Sequence, residues 1–260
     1  MYKLDGRIAI VTGGARGLGQ AMAERLGKEG ATVIIADIDT ASMEKTVAAM
    51  NAAGSKAEGY QIDLTKTSEI DAMIDKVAAD HGRIDILINN AGINIRQWAT
   101  EYKEEDYDFL MALNLKSYYF ASRAAARYFK KQGGGVIVCT SSGNSERFTT
   151  KRTPYCISKA AVNGLVAALG NELGRFNIRV NAVAPGYIYT DMVRQGIAEG
   201  IIDEKAIMSV LPNKRFLEAS EIANAVVFLA SDEASGINAQ TLFVDGGWNK
   251  NGLPEAKDYK

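Results

Sequence analysis

The chain has 260 residues, 47% hydrophobic and 23% charged, with a formal net charge of −1. That is room for one large α/β domain with a substantial core, and a charge so near zero leaves no basic field to hold a nucleic acid or an anionic membrane surface. No apolar stretch reaches the ~18 residues a membrane span needs, and Met1 to Arg7 lack the apolar run of a signal peptide, so a cytoplasmic protein is expected.

In chain order, apolar runs alternate with helical spacing. Arg7 to Thr12 reads as a buried strand running into glycines, and Leu18 to Gly30 as a helix. Ala31 to Asp37 is the second strand, about Ala41 to Ala53 a helix, and Lys56 to Ile62 the third strand. A helix over about Ser68 to His81 leads to a strand at Ile84 to Ile88, then a long helical region from about Lys103 to Lys131. Val136 to Cys139 is the fifth strand, Pro154 to about Gly174 is helical, Ile178 to Val183 is the sixth strand, and Thr241 to Val244 a short seventh. Strands buried on both faces with helices between them mean a doubly wound parallel sheet, an α/β Rossmann-type architecture. No linker or repeat divides the chain, so residues 1–248 read as a single domain. Tyr187 to Asn213 interrupts the alternation just after a strand, where it can cover a site. The tail, 249–260, is polar and unpatterned and is expected to be partly disordered unless a partner holds it.

Two cysteines, Cys139 and Cys156, and one histidine, His81, are too few for a Cys/His zinc site, so no metal is expected. A Ser-His-Asp triad would need His81, which reads as a solvated helix C-terminus. The cysteines read as buried free thiols.

The first strand runs into Thr12-Gly13-Gly14-Ala15-Arg16-Gly17-Leu18-Gly19. Glycines between a strand and a helix let the backbone approach a pyrophosphate resting on the helix N-terminus. Asp37 closes the second strand, where a carboxylate can accept from both ribose hydroxyls and would repel a 2′-phosphate. The loop Asp37-Ile38-Asp39-Thr40 carries no Arg or Lys, and Arg16 is the one nearby cation that argues for a phosphate. NAD is therefore expected over NADP, with Asp39 or Thr40 as the helix cap.

This glycine spacing resembles the short-chain dehydrogenase/reductase family. Further matches follow in order: Asp63-Leu64, Asn89-Asn90-Ala91-Gly92, Asn114, Ser142, Tyr155-Cys156-Ile157-Ser158-Lys159, Pro185-Gly186 and Asp245-Gly246-Gly247. The resemblance spans about residues 4 to 248 and implies a seven-stranded sheet in the order 3-2-1-4-5-6-7, and a homotetramer. It implies a cofactor site of Gly13, Arg16, Gly17, Leu18, Gly19, Asp37 and Ile38, with Asp63 and Leu64 at the adenine. Asn90, Ala91 and Gly92 would line its floor, Pro185 and Gly186 would border it, and Ile188 and Thr190 would touch the nicotinamide carboxamide.

Tyr155 and Lys159 are four apart on a predicted helix and share a face. A free tyrosine titrates near pH 10, too high for a base, and a neighbouring ammonium is expected to lower it. Lys159 can also hold the nicotinamide ribose. Ser142 can orient the substrate oxygen and stabilise charge on it, with Ser141 as its rival for that role. Asn114 can hold a water linking Lys159 to solvent. These four match the family's catalytic tetrad.

The substrate loops carry Arg96, Asn144, Arg147, Lys151, Arg152 and Tyr187, polar and cationic for a pocket. Arg96, Asn144, Arg152 and Tyr187 are the candidate substrate residues. The loops look similar to those of family members acting on sugars, polyols or sugar acids, such as gluconate 5-dehydrogenase-like enzymes, and arginine suits a substrate carboxylate. A 3-oxoacyl-thioester reductase and a non-catalytic NAD-binding scaffold are the alternatives.

Overall fold

Five consecutive residues without a charge, Ile8–Thr12, can only be satisfied by burial on both faces, and they form β1, buried along its whole length. The computed structural model describes residues 2–251, with only the backbone at 191 and 192. Beside β1 lie β2 (Thr32–Asp37) and β4 (Ile86–Asn89); β3 (Lys56–Gln61) flanks β2, and β5 (Gly135–Thr140), β6 (Ile178–Pro185) and β7 (Thr241–Val244) follow β4. All pairings are parallel and the order is β3-β2-β1-β4-β5-β6-β7, as the resemblance implied. Burial on both faces fails at the rims: β3 buries only Ala57 and β7 is half-buried, because an edge strand lacks a neighbour and a full helical cover.

Helices pack on both faces. On one lie α1 (Gly17–Lys28), α2 (Thr40–Ala52) and α9 (Ala219–Ala230), contributing Met22, Met43 and Val226 to the core. On the other lie α3 (Thr67–His81), α5 (Ser117–Gln132) and α6 (Thr153–Leu173), contributing Ile74, Phe129 and Val162. The chain leaves β1 towards β2 on one side and returns to β4 on the other, so a crevice opens above their C-terminal ends.

Three helices depart from the sequence reading. α7 (Asp191–Ala198) and α8 (Glu204–Val210) fold within the segment expected only to interrupt the pattern. α9 fills the stretch ahead of the last strand; its buried residues Ile222, Ala223, Val226, Val227, Leu229 and Ala230 fall at helical spacing, and its start is marked by a reciprocal capping box between Glu218 and Glu221. The long helical region is α4 (Glu104–Met111), a π-helical turn over Ala112–Lys116, and α5. Among the described residues no helix is long and apolar enough to cross a membrane, and no cluster could hold a metal ion.

Candidate active site

The β1–α1 turn is built around contacts that exclude side chains. Gly13 has φ +63°, and a Cβ there would lie 2.8 Å from the Ala91 Cα. A Cβ on Gly19 would collide with the Gly13 carbonyl oxygen, whereas Gly17, at φ +57°, faces open space. α1 starts without a side-chain cap and without an acidic residue in its first turn, which leaves its N–H end to an anion. Asp37 accepts from Ala15 N and Asp39 N, each at 3.0 Å, so its carboxylate is fixed at the rim of this turn. An open glycine, a free helix end and a fixed carboxylate together fit a dinucleotide. Arg16 is exposed and lies 3.8 Å from Asp39, which caps α2 as expected; Ile38 and Leu18 flank the turn, Ile38 exposed.

Asn90 binds three strands together. Its amide donates to Thr12 O and Gly13 O, each at 3.1 Å, and its oxygen accepts from Thr140 Oγ1 at 3.4 Å. The Asp63 carboxylate is turned to its own loop, held below the usual carboxylate range first by the Thr65 hydroxyl, while Leu64 packs into the core. At the end of β6, Gly186 N donates to Val244 O, and a Cβ on Gly186 would lie 2.8 Å from the Asp245 Cα. Ile188 bridges to Leu217, and Thr190 caps α7 by accepting from Val193 N.

The candidate catalytic residues meet at the ends of β4 and β5. Lys159 is buried and its Nζ donates to Thr140 O at 2.7 Å, 5.9 Å from the centre of the Tyr155 ring. Burial pushes this amine down to about 8. Tyr155 departs from the expected shift: burial raises it, and the opposing pull comes first from a hydrogen bond with Ser142 and then from the charge of Arg152. The lysine makes no contribution to that shift in the chain alone: burial pushes its amine to about 8, so it sheds its charge before the phenol ionises. Ser142 Oγ also accepts from Asn144 N at 3.1 Å. Ser141 has turned away, donating to Asn163 Oδ1 at 2.6 Å, which removes it as a rival. Asn114 sits in the π-helical turn, fully buried, accepting from Ile93 N at 2.8 Å and donating to Ile93 O at 2.9 Å. A Cβ on Gly92 would lie 3.1 Å from Asn114 Oδ1 and 3.6 Å from Lys159 Nζ, so Gly92 marks the gap between them.

The loop cations divide. Arg147 donates to Trp248 O at 2.5 Å and Asn251 O at 3.0 Å, and Lys151 lies 4.6 Å above the Trp98 ring. Both are structural. Arg96 is close enough to Arg152 to feel its charge, with Tyr187 beside it. The Asn144 side-chain oxygen is taken by the Cys156 thiol at 3.8 Å.

Sequence reasoning missed the part of the site that comes from 245–251. Trp248 lies on Gly143, whose Cβ would be 2.6 Å from the indole, and packs edge-on against Tyr187 at 4.9 Å. Asn249 and Lys250 bond to Glu146 at 3.1 and 3.2 Å, and Asn251 donates to Val210 O at 2.8 Å. Residues 249–251 of the expected tail are therefore anchored; 252–260 lie outside the described residues. Nothing local in the sequence marks Trp248 beyond its place after two glycines. His81 ends α3 as read, but its Nε2 lies 3.4 Å from Glu58 on β3 rather than in open solvent. Cys139 and Cys156 are free and buried.

The family profile described as Enoyl-(Acyl carrier protein) reductase matches residues 13–249. The 3-oxoacyl-[acyl-carrier-protein] reductase FabG of Haemophilus influenzae is 40% identical over 247 residues, covering 94% of this chain and 98% of its own. The 2-dehydro-3-deoxy-D-gluconate 5-dehydrogenase of Escherichia coli K12 is 38% identical over 248 residues, covering 95% and 97%. The structure of a gluconate 5-dehydrogenase from Burkholderia cenocepacia J2315, in complex with NADP and tartrate, superimposes with a TM-score of 0.91 at 32% identity, covering 96% of this chain and 97% of that one.

Proposed function

The chain belongs to the short-chain dehydrogenase/reductase family and is an oxidoreductase, and from that premise we propose that it interconverts a secondary alcohol and a ketone on a small hydroxylated substrate, a sugar, polyol or sugar acid, with NAD preferred. The observation that carries this reading is the meeting of Ser142, Tyr155 and Lys159 beside the glycine turn. A nicotinamide dinucleotide whose pyrophosphate rests on that turn would supply or accept the hydride. The Tyr155 hydroxyl gives a proton to the substrate oxygen in reduction and removes it in oxidation. Ser142 Oγ hydrogen-bonds the same oxygen and stabilises its charge. Lys159, held by Thr140, stands behind the phenol within reach of a ribose, and a water in the gap beside Asn114 and Ile93 would carry the proton onward.

A second reading, reduction of a 3-oxoacyl thioester, is favoured by the 40% identity to FabG. A panel of sugars, sugar acids, polyols and short 3-hydroxyacyl thioesters assayed for NAD⁺ reduction separates the two. Turnover of the thioesters alone would overturn the polar-substrate reading.

NADH is expected to bind at least about tenfold more tightly than NADPH, since the fixed Asp37 carboxylate accepts from a ribose diol and repels a 2′-phosphate. Arg16 and the NADP bound by the Burkholderia relative are the opposing considerations. Fluorescence titration of both cofactors decides; equal affinities sink the role of Asp37, and Asp37→Ala should narrow the gap.

Homotetramer formation is also proposed. Val166 lies in the core, with Leu165 and Leu169 half-buried against it, because that face of α6 packs on the sheet. Exposed apolar side chains on α4 to α6 include Tyr107, Phe109, Tyr119 and Ile157, and Leu242 is exposed on the edge strand β7. Sedimentation giving a monomer at micromolar concentration would refute the proposal.

A further inference from the structure

Of the four cations around the pocket, two are accounted for: Arg147 by backbone carbonyls and Lys151 by the Trp98 ring. Arg96 and Arg152 have no ion pair among the described residues. Their loops are clipped together by a backbone hydrogen bond from Gln97 N to Lys151 O, 3.1 Å long, so the two arginines flank one bridge. Like charges held side by side repel, and a fold normally separates them or places a carboxylate between them. Here neither happens. Arg96 is exposed at the rim, and partial desolvation of its guanidinium and then the charge of Arg152 hold it below its ordinary range.

We propose that Arg96 and Arg152 jointly bind the carboxylate of a short hydroxy acid, with Arg152 as the specificity-determining residue that ties this end of the substrate to Tyr155. The proposal rests on the dehydrogenase reading above. Two planar guanidinium groups match a carboxylate through charged, paired hydrogen bonds, and the bound anion removes their mutual repulsion. The substrate must be short. Arg152 stands at the head of α6, three residues before Tyr155 and on the same side of the helix, and its charge reaches the phenol. An anion bound to it lies only a few bonds from the carbon that reacts. Tyr187, beside Arg96 and backed by Trp248, closes the opposite wall with polar and aromatic surface suited to hydroxyl groups.

The test uses probes of one carbon skeleton that differ in charge: threonate, with one carboxylate, and threitol, with none. Calorimetry on the NAD⁺-saturated protein should give threonate at least about tenfold tighter than threitol. Arg152→Gln and Arg96→Gln should each cost threonate about tenfold, and leave the affinities for threitol and NAD⁺ unchanged. Equal binding of the two probes, no binding of threonate at millimolar concentration, or threonate affinity untouched by Arg152→Gln overturns the proposal. A second readout separates recognition from mere packing. With whichever member of the substrate panel turns over, Arg152→Gln should move the acid limb of the oxidation rate upward by about half a pH unit, because losing a nearby positive charge makes the phenol harder to ionise. An unmoved limb also counts against the proposal. If charge proves irrelevant while polyols still reduce NAD⁺, the subsite is wrong and the dehydrogenase stands. If nothing in the panel turns over, the dehydrogenase reading fails first, and the proposal with it.

Discussion

Tyr155→Phe is expected to lose nearly all turnover, a fall of about a thousandfold, while binding NADH as tightly as the unaltered protein. The substitution removes one oxygen and leaves the ring that lies 5.9 Å from Lys159 Nζ. It does not touch the glycine turn or Asp37, which are fixed by their own hydrogen bonds. Ser142 keeps its bond from Asn144 N and can still orient a substrate oxygen, but no neighbouring group can give or take the proton. Lys159 is directed at the Thr140 carbonyl, and Ser142 is a poor acid. Steady-state kinetics together with an NADH titration decide the matter. Surviving turnover would remove Tyr155 from the chemistry. Loss of NADH binding would show a structural role instead. A scaffold that binds NAD without reacting predicts no change in any assay, because it has no turnover to lose.

Gly19→Ala is expected to abolish tight NADH binding and lower the melting temperature. The added methyl would meet the Gly13 carbonyl oxygen and, at 2.6 Å, the Asn90 amide nitrogen. Neither can yield cheaply. The Gly13 oxygen belongs to the turn itself, and the Asn90 amide is held by bonds of 3.1 Å to both Thr12 O and Gly13 O. The first turn of α1 must therefore tilt away from β1, with an overpacking cost of about 1–3 kcal/mol and a displaced N–H end where a pyrophosphate would rest. Gly164→Ala is the control: it lies within α6 with nothing within 4 Å of its Cβ, and a helical alanine there should be neutral or stabilising. Thermal melts and NADH titration of both variants are the measurement. Unchanged NADH affinity in Gly19→Ala would mean that the turn does not carry the cofactor.

What could be read from the sequence followed from how local its cause was. Strands such as Ile8–Thr12 and glycines between a strand and a helix carry their signal within a few residues, and the order of motifs along the chain was enough to anticipate the sheet order. Of the two caps read for α2, Asp39 and Thr40, it is Asp39 that accepts from Ser42 N, and the Ser141 hydroxyl is engaged by Asn163. The failures have other origins. The signal for α9 was local, a capping box ahead of apolar positions at helical spacing, and could have been read. The π-helical turn that holds Asn114 inserts no residue type that marks it. Helix-face spacing places Lys159 beside the Tyr155 ring but carries no information on burial, which opposes the charged form of both groups. The anchoring of 249–251 depends on Glu146, Arg147 and Val210, residues far away in sequence.

That last arrangement ties two loops far apart in sequence into one unit. Trp248 lies against Gly143 and Tyr187, and Arg147 donates to the Trp248 carbonyl. A shift of 248–251 is therefore passed directly to the loop after Ser142 and to Tyr187, while the glycine turn and Asp37 keep hydrogen bonds of their own. The wall proposed to face the substrate is thus coupled to a distant segment from which the surface proposed to face the dinucleotide is independent.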